Sequence, residues 1–238
     1  MPTNAVPGFL PSRSGLPFPN TWPPGPTVTL GPIDPRWVGI GDASQGLCGG
    51  MALTVRDLFE AGIEPPRDAE LPVNGTPRFR AIVRRQVEPH DWLRIPLRYY
   101  DLQAFRPDPP TPLSRILRRE VPRVGAIRRE WPRIRAEIDA GRLPVIGTIR
   151  ISSPNPMLLG LNHQVLGFGY DVTDERIAIR VYDPNRPGQD DVELRAIIDL
   201  DEDESWADRI RLGRSDGDVL LGWFLQPYPR PGSLHAWR

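Results

Sequence analysis

Residues 163–185 read HQVLGFGYDVTDERIAIRVYDPN, two runs rich in β-branched and aromatic residues on either side of the polar segment DVTDE. Alternation along the second run puts Ile177, Ile179, Val181 and Asp183 on one face. With 171–175 as a five-residue hairpin loop, antiparallel pairing sets Tyr170 opposite Arg176 and His163 opposite Asp183. The same register stacks Val165 on Val181, Gly167 on Ile179 and Gly169 on Ile177, so an apolar face carries the His and the Asp at its open end. Opposed Cβ atoms lie about 4.5–5.5 Å apart, close enough for a carboxylate to take an imidazole N–H and fix the tautomer of a general base. Gly167 and Gly169 leave room for a second element to pack closely on that face. Each residue also has a plainer reading, His163 as a hydrogen-bonded core histidine and Asp183-Pro184-Asn185 as a turn. Asn185 shares the parity of Asp183 and is a second candidate for orienting His163, ranked lower because Pro184 marks the strand end. Gln164 points to the opposite face and receives no role.

The element that fits that face lies far upstream. The turn-rich stretch GIGDASQGLCGG (39–50) runs into MALTVRDLFEAG (51–62), where Met51, Ala52, Val55, Leu58 and Phe59 form the stripe of a buried amphipathic helix ended by Gly62. Cys48, the sole cysteine, opens this helix, where unsatisfied N–H groups and the macrodipole favour a thiolate. A single cysteine forms no intramolecular disulfide and builds no Cys-cluster zinc site. Its plain reading is a small buried hydrophobe. That reading does not explain why the only Cys opens a helix while a His and an Asp share an inward face, and together the three residues form a nucleophile, a base and an orienting group.

Around these segments the chain sorts into helices first and strands later, the pattern of an α+β architecture. Residues 1–36 hold ten prolines and read as an extended arm that wraps the domain or dangles. One domain is expected over 37–228, followed by a short tail, 229–238. FRAIVRRQV (79–87) and LSRILRRE (113–120) read as short amphipathic helices in a stretch, 63–129, whose role is open. EWPRIRAEIDAGR (130–142) has Pro132 for a first helical turn, Ile134 and Ile138 on one face, an Arg133–Glu137 pair and Gly141 as its stop. Strands are expected at 143–151, 163–170, 176–183, 192–200 and 219–226.

Composition narrows the function. The 238 residues carry 30 basic and 30 acidic side chains, so no global field attracts nucleic acid. All 30 basic residues are Arg. Eight arginines against two glutamates in 115–135 read as a solvated face rather than a docking site for an acidic partner, with the acids of 199–204 offsetting them. The longest apolar stretch, Val219–Leu225, has seven residues against the roughly 20 that span a bilayer. MPTNAVPGFLPSRSG has neither a basic n-region nor an apolar h-region, so a soluble, cytoplasmic protein is expected, with delivery by a specialised secretion route still compatible. His90 and His235 have no paired ligands, and no metal or other cofactor is expected.

Gln45-Gly-Leu-Cys48-Gly-Gly-Met, then Asn162-His163-Gln-Val-Leu-Gly-Phe-Gly-Tyr, then Val-Tyr-Asp183-Pro-Asn resemble papain-like cysteine peptidases in motif and in chain order. The His-bearing strand followed by a strand ending in Asp-Pro is most similar to the bacterial bacteriocin-processing branch, in which an Asp orients the His. The matching segments, 41–62 and 143–185, cover under a third of the chain. The resemblance implies a papain-like fold, an N-terminal catalytic helix packed on a C-terminal, mostly antiparallel sheet, and a peptide or protein substrate. It also implies a thiol protease with Cys48 as nucleophile, His163 as base and Asp183 as orienter. One position departs from the family pattern. The oxyanion-hole Gln stands six residues before the Cys in the family, where this chain has Asp42. The pair expected here is the Cys48 N–H with the Gln45 side chain, and Asp42 is a turn residue or, if protonated, a donor. Two rivals use the same residues: a thiol acyltransferase or transglutaminase-like enzyme, in which water is not the acceptor, and a non-catalytic binding module with an unreactive thiol.

Overall fold

The helix that begins at Cys48 is enclosed on all sides. This helix, α2 (Cys48–Glu60), buries every residue from Cys48 to Leu58, including Arg56 and Asp57 on what the periodicity marks as its polar side. Gly62 (φ +64) ends it with a bond from Ile63 N–H back to Leu58 C=O, the left-handed stop that a glycine adopts without strain. The computed structural model describes residues 2–24, 46–87, 94–106, 108, 110–112, 116–117, 120–199, 205, 207–228 and 230–237. Among them α2 packs on α3 (Pro77–Val87) and on the sheet. A Cβ on Gly50 would overlap the backbone of Ile82 in α3, and one on Gly49 would overlap the Gln164 carboxamide. The close approach thus comes from Gly49 and Gly50, not from Gly167 and Gly169, which face Pro144 and Ile146, and Arg180.

The architecture is α+β with an antiparallel sheet. Its strands are β1 (Thr3–Ala5), β2 (Val145–Ile149), β3 (His163–Val172), β4 (Arg176–Tyr182), β5 (Glu193–Ile198), β6 (Ile210–Arg214), β7 (Val219–Leu220) and β8 (Gly222–Leu225). The order is β7-β6-β5-β4-β3-β2-β8, with β1 added to β3 beyond the reach of β2. The expected strand 219–226 is therefore two strands at opposite ends of this order, with only Leu221 between them. One residue spans a few ångströms, so the ends of the sheet meet and the sheet curls on itself. The sequence reading had no strand at β6, although Ile210 and Leu212 alternate with Arg211 and Gly213.

The β3–β4 register differs from the expected one. Thr173 N–H bonds to Arg176 C=O, leaving a turn of two residues, Asp174 and Glu175, in place of a five-residue loop. Tyr170 consequently pairs with Ile179 rather than Arg176. Had that register continued, the odd displacement would have turned His163 and Asp183 to opposite faces. A bulge at Phe168 lets Gly167 pair with Val181, a displacement of two from the expected partner, and parity is restored.

The Pro-rich arm is not a detached extension. Residues 2–24 contribute β1, a short helix α1 (Pro11–Ser14), and Val6, Phe9, Leu16, Phe18 and Trp22 to the main core. The arm's expected end at residue 36 lies outside the described residues. The middle of the chain supplies α3, α4 (Arg94–Tyr100) continuing into a π-helical turn (Asp101–Phe105), and α5 (Pro122–Gly125), which runs through a second π turn into α6 (Trp131–Asp139). The expected helix at 113–120 falls mostly outside the described residues. In α6, Ile134 and Ile138 are buried as expected, but Arg133 pairs with Glu130 and Glu137 with Arg142 instead of with each other.

Candidate active site

His163 opens β3, and its backbone is held from two sides. Its carbonyl accepts hydrogen bonds from Tyr99 Oη on α4 (2.9 Å) and from Thr148 Oγ1 on β2 (3.2 Å). Just before it, buried Asn162 donates to Gln103 Oε1 and accepts from Arg150 N–H, anchoring the loop that leads into the strand. The imidazole Nε2–H donates to Asp183 Oδ1 at 2.7 Å. The other ring nitrogen, Nδ1, is left free by this bond, and Cys48 lies near enough to the imidazole to help raise its pKa. Cys48, His163 and Asp183 are 8%, 4% and 0% exposed, so the three groups meet away from bulk water.

The electrostatics follow from that burial. Desolvation disfavours the imidazolium, but the charge and hydrogen bond of Asp183, with a further contribution from Cys48, raise the His163 pKa to about 10. Asp183 goes the other way. Burial favours its neutral form, yet His163, Arg214 and the Asn185 N–H (2.8 Å to Oδ1) lower it to about 2. At neutral pH the arrangement holds an imidazolium against a carboxylate.

Asn185, the second candidate, does not reach the imidazole. Its N–H orients Asp183, and its Oδ1 accepts from Asn20 Nδ2. Asn20, in the arm, accepts from Leu47 N–H at 2.6 Å and gives its own N–H to Pro184 C=O at 3.0 Å. Gly46 (φ +88) sits against this side chain, where a Cβ would collide with it. Gln45 and Asp42, the expected oxyanion-hole residues, lie outside the described residues. At the helix start, Leu47 N–H is taken by Asn20 and Gly50 N–H by Gln86 Oε1; the Cys48 and Gly49 N–H groups have no partner among the described residues.

Four supporting residues escaped the sequence reading: Asn20, Tyr99, Thr148 and Arg214. Only Arg214 carried a legible signal, the alternation of β6. Its Nη1 lies 2.8 Å from Asp183 Oδ2, a close ion pair without hydrogen-bond alignment. Gln164 packs its carboxamide against Gly49 and so has a packing role.

Among the described residues no group of three His, Cys, Asp or Glu side chains is placed to hold a metal, and no helix is long and apolar enough to cross a membrane. In the 115–135 run, Arg123, Arg129, Arg133 and Arg135 pair with carboxylates of the same chain; Arg115, Arg118 and Arg119, with the acids beyond Asp199 to 204, lie outside the described residues. A cavity of about 310 Å³ between α3 and residues 232–237 lies at the Asp57 end of α2, away from Cys48. In comparisons with known protein families, curated proteins and solved structures, the chain matched none.

Proposed function

We propose that the chain is a papain-like thiol hydrolase that cleaves a peptide or related amide bond through a Cys48 thioester. The observation that carries this reading is the His163 ring, which has Asp183 on Nε2 and leaves Nδ1 for the chain's only cysteine. The order of elements supports it: a helix opening on the nucleophile, then an antiparallel sheet with the His at one strand's start and the Asp just past the end of its neighbour. That order is similar to the bacteriocin-processing peptidases.

In this mechanism the Cys48 thiolate attacks the acyl carbon, and the carbonyl oxygen becomes an oxyanion facing the Cys48 and Gly49 N–H groups at the helix N-terminus. The His163 imidazolium passes its Nδ1 proton to the leaving amine nitrogen as the C–N bond breaks, and the acyl group stays on sulfur. Water then attacks the thioester and His163 takes its proton. The C–S bond breaks, releasing the carboxylic acid and restoring the thiolate and imidazolium. Asp183 holds the ring in place and balances its charge throughout.

The test is labelling with a thiol-directed peptide epoxide and mapping of the modified residue. The reading expects a Cys48 adduct that is lost in His163→Ala. An adduct formed equally fast in both proteins overturns it and leaves the binding-module alternative. If acylation occurs but an added amine competes with water for the thioester, the acyltransferase alternative holds.

A further inference from the structure

We infer that Arg214 is a positioning residue that keeps Asp183 ionised and aligned, together with the imidazolium in acid and alone once His163 gives up its proton, and so sets the acid limit of Cys48 reactivity. The inference rests on the thiol-acyl reading above. Asp183 has no exposed surface, and a carboxylate in that position needs a counter-charge. While His163 is an imidazolium it supplies one. After the proton leaves with the amine, the neutral ring no longer does, and a buried carboxylate with no other cation would take up a proton and lose its hold on Nε2–H. Arg214 removes that problem. Its guanidinium lies 2.8 Å from Oδ2, the oxygen that His163 does not use, and its side chain is only 5% exposed.

Arg214 is itself held in an alternating row of charge. Its Nη2 is 2.7 Å from Asp216 Oδ2, and Asp216 is 3.1 Å from Arg186, near the surface. From the surface inward the row runs Arg186, Asp216, Arg214, Asp183, His163, each neighbour paired and opposite in sign when His163 is protonated, and it ends beside Cys48. Asp218 lies 4.0 Å from Arg214 and pairs with Arg150 at 3.1 Å. The other titratable groups facing the site, Tyr182 beside Asp183 and Tyr99 beside Cys48, are buried phenols pushed well above their ordinary range, so both stay neutral across the working pH.

The experiment measures iodoacetamide alkylation of Cys48, the only thiol in the chain, from pH 3 to 10 in wild type, Arg214→Lys, Arg214→Gln, Asp183→Asn and the double variant Asp183→Asn/Arg214→Gln. In Arg214→Gln the pH of half-maximal rate is expected to rise by about one unit, and Arg214→Lys, which keeps the charge, is expected to stay near wild type. Adding Arg214→Gln to Asp183→Asn is expected to leave the Asp183→Asn curve where it is, because Arg214 acts through that carboxylate. A curve for Arg214→Gln that is lower at every pH but unshifted overturns the inference and makes Arg214 structural. Should Arg214→Gln not fold, the double variant, in which the buried Asp183 charge is removed together with its Arg214 partner, decides: a further shift beyond Asp183→Asn overturns the inference. A wild-type half-point at the free-thiol value of about 8.5 overturns the thiol-acyl reading and this inference with it, whereas a lower wild-type value that Arg214→Gln does not move overturns the inference alone.

Discussion

Asn20 Nδ2 donates to Asn185 Oδ1 at 3.1 Å while Asn20 Oδ1 accepts from Leu47 N–H at 2.6 Å, so a single side chain from the Pro-rich arm ties the residue before the nucleophile to the turn that carries Asp183. The two sides of the candidate site come from segments more than a hundred residues apart, and no direct backbone pairing joins Leu47 to Asn185. Asn20 supplies that join. Replacing it with Ala removes both bonds and is expected to cost about 1–2 kcal/mol in denaturant unfolding. It is also expected to slow Cys48 alkylation at neutral pH more than the stability loss explains. A variant that is destabilised yet alkylated at the wild-type rate would show that the join is purely structural.

Asp183 and Asn185 are separated by the same logic. Asp183→Asn keeps the shape but loses the charge that holds the imidazolium, so turnover is expected to fall by a factor of about 10² to 10⁴ once a substrate is available. Asn185→Ala keeps the backbone N–H on Asp183 Oδ1 and is expected to cost less than about tenfold. Peptide-epoxide labelling rates give the same ranking without a substrate. The reverse ranking would reassign the orienting role to Asn185.

The far end of α2 provides an independent stability prediction. Asp57 accepts from Arg85 Nε (2.6 Å) and Nη2 (3.0 Å), from the Tyr228 hydroxyl (2.6 Å) and from Gly232 N–H (3.1 Å), which docks the C-terminal tail onto α2. Asp57→Ala strands a buried guanidinium and is expected to cost about 3–5 kcal/mol, read as a shift in the urea midpoint. Asp57→Ala with Arg85→Met is expected to recover much of that loss, since the unpaired charge is gone. Equal losses in the single and double variants would contradict this account.

Stability should also depend on pH through the His163–Asp183 pair. The folded-state pKa of His163 is raised, so its contribution is complete below the unfolded value of about 6.5 and disappears as pH climbs toward about 10. That of Asp183 is lowered, so its contribution is complete above the ordinary carboxylate value of about 3.9 and is lost as pH falls toward about 2. Thermal unfolding is expected to give the highest Tm between roughly pH 4 and 6.5, with a decline above it that His163→Asn reduces. A Tm profile above pH 6.5 that is the same in His163→Asn and wild type would remove His163 as its source.

The helices α2 and α6 are legible in the sequence because each has an apolar stripe and a glycine stop, Gly62 and Gly141, in the left-handed conformation the stop requires. The sequence also brought Cys48, His163 and Asp183 to one place. The register was misread because Asp171, Val172 and Thr173 look like loop residues. They extend the hairpin because Asp171 pairs with Ala178 on one side and Thr3 on the other, Val172 pairs with Ile177 and packs against the core, and Thr173 N–H closes the turn on Arg176 C=O. The arm's place in the core is not legible in the sequence, because Phe9, Leu16, Phe18 and Trp22 fill the core from among the prolines without any periodicity to announce them. Tyr99 and Asn20 act through single long-range hydrogen bonds, which leave no local pattern.

The bulge at Phe168 has a bearing on how this hairpin tolerates change in length. Because side chains alternate along a strand, gain or loss of one residue between His163 and the turn would rotate the histidine away from the aspartate, whereas a two-residue insertion shared by both strands beyond the bulge would lengthen the tip and leave the pair intact. Related chains that keep the same chemistry should therefore differ in hairpin length by even steps, or else carry a compensating bulge of their own.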